Sequence, residues 1–140
     1  MKFGPFKGNQ RAGMTLIEII IVIAIMATVM AYLATQLTTQ QDEAMKDSAK
    51  LAMNQIGQSL QLYRVHNAGY PTTAQGLDAL VTNPGSAKSW RGPYIEKNKL
   101  NDPWGTQFGY ESDGRSYTVI CAGPDKQFGT EDDIFYPEKD

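Results

Sequence analysis

A single apolar run constrains this chain more than any other feature. Residues Met14 to Ala34 read MTLIEIIIVIAIMATVMAYLA and carry one charge, Glu18. As an α-helix rising ~1.5 Å per residue, this run reaches ~31 Å, the thickness of a bilayer's hydrocarbon core. The segment before it, MKFGPFKGNQRAG, holds Lys2, Lys7 and Arg11 and no acid. The positive-inside bias keeps that end in the cytoplasm and places the remainder across the membrane. A secretory signal has the same opening, but its small-residue cleavage site follows the apolar run. Here TQLTTQQ follows Ala34, and the small pair Ala12-Gly13 stands before the run. Cleavage at that pair would retain the apolar helix as a new amino terminus. Without cleavage the segment is an ordinary signal anchor.

Glu18 bears on that choice. A charge deep in a spanning helix costs roughly 2.5–3.5 kcal/mol on insertion scales, and such groups usually have a partner. Snorkelling from one turn below the interface lowers the cost. No Lys or Arg occurs between Met14 and Gln41. A cut after Gly13 would create a cationic amine on Met14, four residues from Glu18 and on the same helix face. A second copy displaced along the axis could present its amine to Glu18 instead. A polymer therefore satisfies this acid better than a monomer does.

From Asp42 onward the pattern becomes amphipathic. Met45, Ala49, Ala52, Met53, Ile56, Leu60 and Tyr63 recur at steps of three and four, which defines one helix face. Asn67-Ala68-Gly69 and Pro71 form a stop signal. A continuous helix from Met14 to Asn67 would be ~80 Å long. No Gly or Pro interrupts Met14 to Ile56, and Thr35 to Thr39 is the weakest stretch. His66 in the last turn is either a ligand or a partner of the helix dipole, and a lone histidine there is more often the latter.

Residues 70–140 read as a small globular region. TTAQGLDALV, Thr72 to Val81, suggests a short helix capped by Thr72 or Thr73. A long loop with Pro93 and Pro103 follows. Trp90, Tyr94 and Trp104 would fold it back onto the helix, or else form a platform for sugars or peptides. Gln107–Ser112 and Arg115–Ala122 alternate like strands around the turn Ser112-Asp113-Gly114, and Ile134-Phe135-Tyr136 suggests a third. The expected fold class is α+β: a long transmembrane and amphipathic helix packed on a small antiparallel sheet. Cys121, between Ile120 and Ala122, reads as a buried free thiol.

Ala122 to Ile134, AGPDKQFGTEDDI, packs four acids into nine residues. Hard oxygens on a Gly-containing loop suit Ca²⁺, although the spacing is not that of an EF-hand. Spacing alone leaves a calcium loop and a solvated acidic turn both open.

Composition excludes several functions. The 140 residues amount to 15.5 kDa, with 41% apolar and 20% charged residues and a formal charge of −2. Without Lys2, Lys7 and Arg11, ten basic residues face fifteen acids, a side-chain balance of −5. That argues against nucleic acid as a partner. One cysteine excludes an intramolecular disulfide or a cysteine-built zinc site, and one histidine a multi-histidine centre. An anchored hydrolase would need a nucleophile with a base, or an open catalytic metal. His66 and Asp132-Asp133 form no such set, so no enzyme is expected.

KGNQRAG-MTLIEIIIVIAI resembles the class III signal of type IV pilins and type II secretion pseudopilins. YPTTAQGLDAL, WRGPYI, DPWG and GPDKQFGTEDDI, in that order, extend the resemblance to the major pseudopilins of bacterial type II secretion. Relatives often have Phe where Met14 stands, and a Gly and a Pro in the apolar helix where this chain has Met26-Ala27 and Thr35. The resemblance implies a leader at 1–13 removed at Gly13–Met14 by a prepilin peptidase and methylation of Met14. It also implies an assembly role for Glu18. The expected order is then a transmembrane and assembly helix at 14–34, its amphipathic half at 35–69, and a periplasmic region at 70–140. The resemblance further implies bound Ca²⁺, with carboxylates from Asp125, Asp132 and Asp133, the carbonyl of Ala122, and Gln127 in an undecided mode. The expected function is a structural subunit of the pseudopilus, which polymerises through its N-terminal helix to drive export. The implied partners are other copies, minor pseudopilins, the peptidase, an inner-membrane platform with its ATPase, and lipid before assembly. The location would be the inner membrane, single-pass, with the N-terminus cytoplasmic. The alternative is a surface type IV pilin for adhesion, motility or DNA uptake, which would favour a disulfide-closed domain or a basic surface.

Overall fold

The computed structural model describes residue 1, residue 4 and residues 13–138, with side chains throughout except at 37–39. It divides into two compact units, residues 1–39 and 40–140. Helix α1, Leu16–Asn67, runs unbroken through the boundary. The basic leader residues Lys2, Lys7 and Arg11 lie outside the described residues.

In the first unit the apolar side chains of α1 are solvent-facing all round, with Leu16 79% and Met30 68% exposed. The hydroxyls of Thr28 and Thr35 donate back to the carbonyls of Ile25 and Tyr32, both at 2.7 Å. Each thus satisfies its polar group within the helix. Among the described residues α1 is the one helix long and apolar enough to cross a membrane.

In the second unit the same helix has a buried side. Ala49, Met53, Ile56, Leu60 and Tyr63 all lie in the core, at the spacing that places them on one face. The sheet covers that face. Strands β1 (Gly109–Ser112), β2 (Tyr117–Cys121) and β3 (Ile134–Tyr136) are antiparallel in the order β1-β2-β3. Tyr110 pairs with Val119, and Ile120 with Phe135. Gly57 lets the sheet approach closely: a Cβ there would lie 2.5 Å from a ring carbon of Tyr136 and 3.0 Å from the Tyr117 hydroxyl. At the β1–β2 turn, the Asp113 carboxylate accepts the N–H groups of Ser116 (2.7 Å) and Arg115 (2.9 Å). These bonds hold its pKa below the ordinary 3.8.

Two local expectations change. The short helix expected in Thr72–Val81 is a tight turn followed by a four-residue 3₁₀ helix, Leu77–Leu80, whose N-cap is Gly76 rather than Thr72 or Thr73. Gly76, at φ 63°, leaves the right-handed helical region and stops α continuation. The Thr73 hydroxyl serves the sheet instead, accepting Ser112 N–H at 2.8 Å and donating to Ser112 O at 3.0 Å. The long loop contains a second 3₁₀ helix, Lys97–Leu100, whose Leu100 is buried. The strands are shorter than expected at both ends of the hairpin, and Gln107 pairs instead with Asn101 in an isolated bridge.

The aromatic loop is pinned as expected. The Trp90 indole N–H donates to Ala79 O at 2.8 Å, and Tyr94 N–H to Leu80 O at 2.7 Å. The Tyr94 ring meets Tyr63 and Trp90 edge-on, with centroids 5.5 and 5.8 Å apart. With Trp90's polar handle inside the fold, these rings serve the core.

Candidate functional site

Two places carry the chemistry expected from the sequence, one in each unit. In the first unit, Glu18 lies in the opening turn of α1 and is exposed. Thr15 precedes the helix, and its Oγ1 accepts the Glu18 N–H at 3.3 Å. Its carbonyl accepts the Glu18 and Ile19 N–H groups at 3.1 and 3.3 Å. Thr15-Leu16-Ile17-Glu18 therefore opens the helix as a Ser/Thr-x-x-Glu capping sequence does. The Thr-x-x-Glu spacing is the sequence signal for this role of Thr15. A carboxylate here is also favoured by the positive end of the helix dipole. Gly13 and Met14 are non-helical and exposed, and a Cβ at Gly13 would meet nothing within 4 Å. Among the described residues nothing crowds Gly13.

In the second unit, the acidic loop leaves β2 at Cys121 and returns as β3 at Ile134. Its two ends meet: Gly123, at φ 72°, is so close to Asp132 that a Cβ would lie 2.6 Å from the Asp132 carbonyl oxygen. Only glycine fits that approach and that φ. Ala122 is fully buried. Asp125 Oδ1 accepts Gln127 N–H at 3.0 Å, and Asp133 Oδ2 accepts Gly129 N–H at 2.7 Å. The Gln127 carbonyl accepts the Thr130 hydroxyl at 3.3 Å. Asp133 Oδ1 is buried with no hydrogen-bond partner. A buried carboxylate oxygen left unmatched is costly, and a cation would relieve it. The donor set is carboxylates and carbonyls, the hard oxygens Ca²⁺ takes. Among the described residues no three His, Cys, Asp or Glu side chains stand close enough to share a metal. Asp132 and Asp133 line one cleft with Glu131, whereas Asp125 is turned to its own Asx turn.

Two other residues find structural roles. His66 Nδ1 lies 3.0 Å from the Tyr94 hydroxyl, in the aromatic cluster at the end of α1. Cys121 is fully buried, and its thiol donates to Asp102 Oδ2 at 3.4 Å. Burial pushes the thiol up to about 11, with Asp102 adding to the rise. That favours the protonated thiol over the nucleophilic thiolate. Asp102 was not singled out in the sequence. It is 6% exposed, and its Oδ1 accepts the N–H groups of Trp104 (3.0 Å) and Thr106 (2.8 Å). The signal was the DPWG turn itself, where an Asp two residues before a backbone N–H is a turn former.

The sequence profile of the family described as "Type II secretion system (T2SS), protein G" matches residues 36–135. The "Prokaryotic N-terminal methylation motif" matches residues 8–34. Type II secretion system core protein G of Escherichia coli K12 is 34% identical over 131 residues, covering 90% of each chain. The protein of that name from Vibrio cholerae is 34% identical over 130 residues, covering 89% of this chain and 88% of its own. Among solved structures, the major pseudopilin from the type 2 secretion system of enterohaemorrhagic Escherichia coli superposes with a TM-score of 0.65 at 32% identity. It covers 71% of this chain and 88% of its own.

Proposed function

The chain belongs to the type II secretion system protein G family, the structural subunits of the pseudopilus, and from that premise we propose how its residues serve assembly. The relatives favour this secretion filament over the surface-pilus alternative. The methylation motif goes with prepilin peptidase processing. In our reading the cut falls at Gly13–Met14 and the methyl group goes to the Met14 amine. The open backbone at Gly13 supports this. The apolar helix anchors the subunit in the inner membrane, with its basic end cytoplasmic and residues 70–140 periplasmic, as the leader charges favour. On polymerisation Glu18 of one copy meets the Met14 amine of another. Heterologous contacts of that kind do not close and so build a filament. The platform, its ATPase and minor pseudopilins are the partners the family reading brings.

The observation that carries this reading is the match of both family profiles, which together span residues 8–135. Mass spectrometry of the membrane-extracted chain tests it. The mature protein should begin at Met14 with one added methyl group. A mature protein that still begins at Met1 and supports export would refute it. Glu18→Leu should remain membrane-inserted yet assemble poorly, and normal filaments would remove the pairing idea.

Calcium is the second element of the proposal. The orphan oxygen of Asp133 supports a cation at the Asp132–Asp133 end of the loop; the full set of Asp125, Asp132 and Asp133, with the Ala122 carbonyl and an oxygen of Gln127, would need Asp125 to leave its turn with Gln127, since the three carboxylates are not gathered in this structure. When bound, the ion would neutralise the loop and order it between β2 and β3. Binding to the folded state stabilises by RT ln(1 + [L]/Kd), ~2.7 kcal/mol at 100 times Kd. EDTA should lower the melting temperature of the full chain in detergent and added Ca²⁺ should restore it. A melt indifferent to both would count against the site.

A further inference from the structure

The apolar part of α1 changes character at Tyr32. Residues 19–31, IIIVIAIMATVMA, carry one polar side chain, Thr28. Its hydroxyl is spent on Ile25 O at 2.7 Å, so it offers no donor outward. Tyr32 is different, and it is 64% exposed. Gln36, also exposed, reaches back one turn, and its Nε2 donates to the Tyr32 hydroxyl oxygen at 3.2 Å. Because the phenol oxygen accepts there, its own O–H is left to donate to a group outside the helix. The second Nε2 hydrogen of Gln36 is left likewise.

Glu18 and Tyr32 bracket this apolar run. The helix axis rises ~21 Å between them, against a hydrocarbon core of ~30 Å. In an undistorted bilayer only one of the two can stand at a headgroup layer. Setting Glu18 at the cytoplasmic layer would draw the Tyr32 and Gln36 donors into hydrocarbon, where nothing accepts them. Setting Tyr32 at the periplasmic layer leaves Glu18 ~9 Å short of the other layer. Glu18 has a remedy there, because the Met14 amine made by the proposed cut lies one turn away on the same face.

We infer that Tyr32 and Gln36 form a collar that docks on the phosphate and glycerol-ester oxygens of the periplasmic leaflet and so sets the depth of the helix. The inference deepens the anchor reading and rests on it. The occupant is the lipid headgroup layer, because the unspent groups are donors and phosphate and ester oxygens are acceptors. Tyrosine suits that layer, with an apolar ring toward the tails and a polar tip toward water. The collar holds the helix against the pull of Glu18 toward its own layer. A subunit waiting in lipid is therefore held with a mismatch of ~9 Å, which local thinning of the bilayer absorbs.

The test uses the full chain, purified from membranes in detergent and reconstituted into vesicles of dioleoyl phosphatidylethanolamine and phosphatidylglycerol. Cys121 is fully buried, so Leu33→Cys, at a position 53% exposed, gives one reactive thiol for a nitroxide label. Its depth is read from the collision rates of the label with oxygen and with a water-soluble nickel chelate. The label should lie within one helical turn, ~5 Å, of the glycerol-ester level. Tyr32→Leu with Gln36→Leu should sink it by ~5–9 Å, as Glu18 moves to its own layer. Tyr32→Trp should hold the depth, since indole keeps an apolar body and a donor. A label near the midplane with Tyr32 and Gln36 intact would overturn the proposal. So would a label clear of the headgroups in water, or an unchanged depth in the double leucine variant. Should that variant fail to insert, the depths in the intact and Tyr32→Trp chains still decide. A chain that does not associate with the vesicles would overturn the anchor reading along with this one, whereas a spanning helix with residue 33 at the midplane overturns this one alone.

Discussion

Helix α1 has two burial regimes along one unbroken backbone. In residues 16–36 every apolar side chain faces outward, whereas in residues 49–63 Ala49, Met53, Ile56, Leu60 and Tyr63 are drawn into a core shared with the sheet. The first stretch is apolar all round and is packed in no core among the described residues, so lipid or other copies must cover it. The second is apolar on one main face and supplies the partner from its own chain. Helix formation is thus common to both, and stability belongs to the second.

Three comparisons test that division, in order of expected effect. Leu60→Ala, in the full chain in detergent, should destabilise the globular unit by ~2–5 kcal/mol, because Leu60 is fully buried and leaves a cavity. Ile23→Ala should shift the same melt by less than about 0.5 kcal/mol, because Ile23 is 57% exposed. Equal effects would break the comparison. Gly57→Ala comes next. In a solvated helix alanine gains ~1 kcal/mol over glycine. Here the new methyl meets Tyr136 and Tyr117, so a net loss of ~1–3 kcal/mol is expected in urea unfolding. A stabilised variant would mean that the sheet can yield at that point. The smallest effect is alkaline. Burial, first among the causes, pushes Tyr110 and Tyr117 from the ordinary 10.0 up to about 12. Their neutral forms are favoured in the fold, so this contribution is whole below pH 10 and fades as pH rises toward 12. Tyr110→Phe with Tyr117→Phe should flatten the fall of the urea midpoint over that window. Tyr110→Phe also removes the bond its hydroxyl donates to Pro71 O at 2.8 Å, so it should start from a lower midpoint.

Much of this was legible because it is periodic. The long helix, its core face from Ala49 to Tyr63, and the hairpin at Asp113-Gly114 announce themselves by spacing and turn chemistry. The two 3₁₀ helices do not, since four residues are too few to show a period, and Gly76 decides the first of them by its dihedral. Asp102 was hidden for a related reason. Its partners are Cys121, nineteen positions away, and N–H groups that only the folded loop presents. At the acidic loop the residue types could be read, but not their engagement. Asp125 and Asp133 both accept from their own loop backbone, and the orphan oxygen of Asp133 follows from burial.

The placement of Thr15 has a consequence for maturation. Under the proposed cut at Gly13–Met14, the residue that starts the helix is the second beyond the broken bond, so removal of the leader would leave the first hydrogen bonds of the helix untouched. The proposed cut would create a positive charge beside the end of a helix dipole that already repels it. Methylation keeps that charge. Under the proposed maturation the trimmed subunit would carry an electrostatic mismatch at its tip, which a carboxylate such as Glu18, of its own chain or of a neighbour, would relieve.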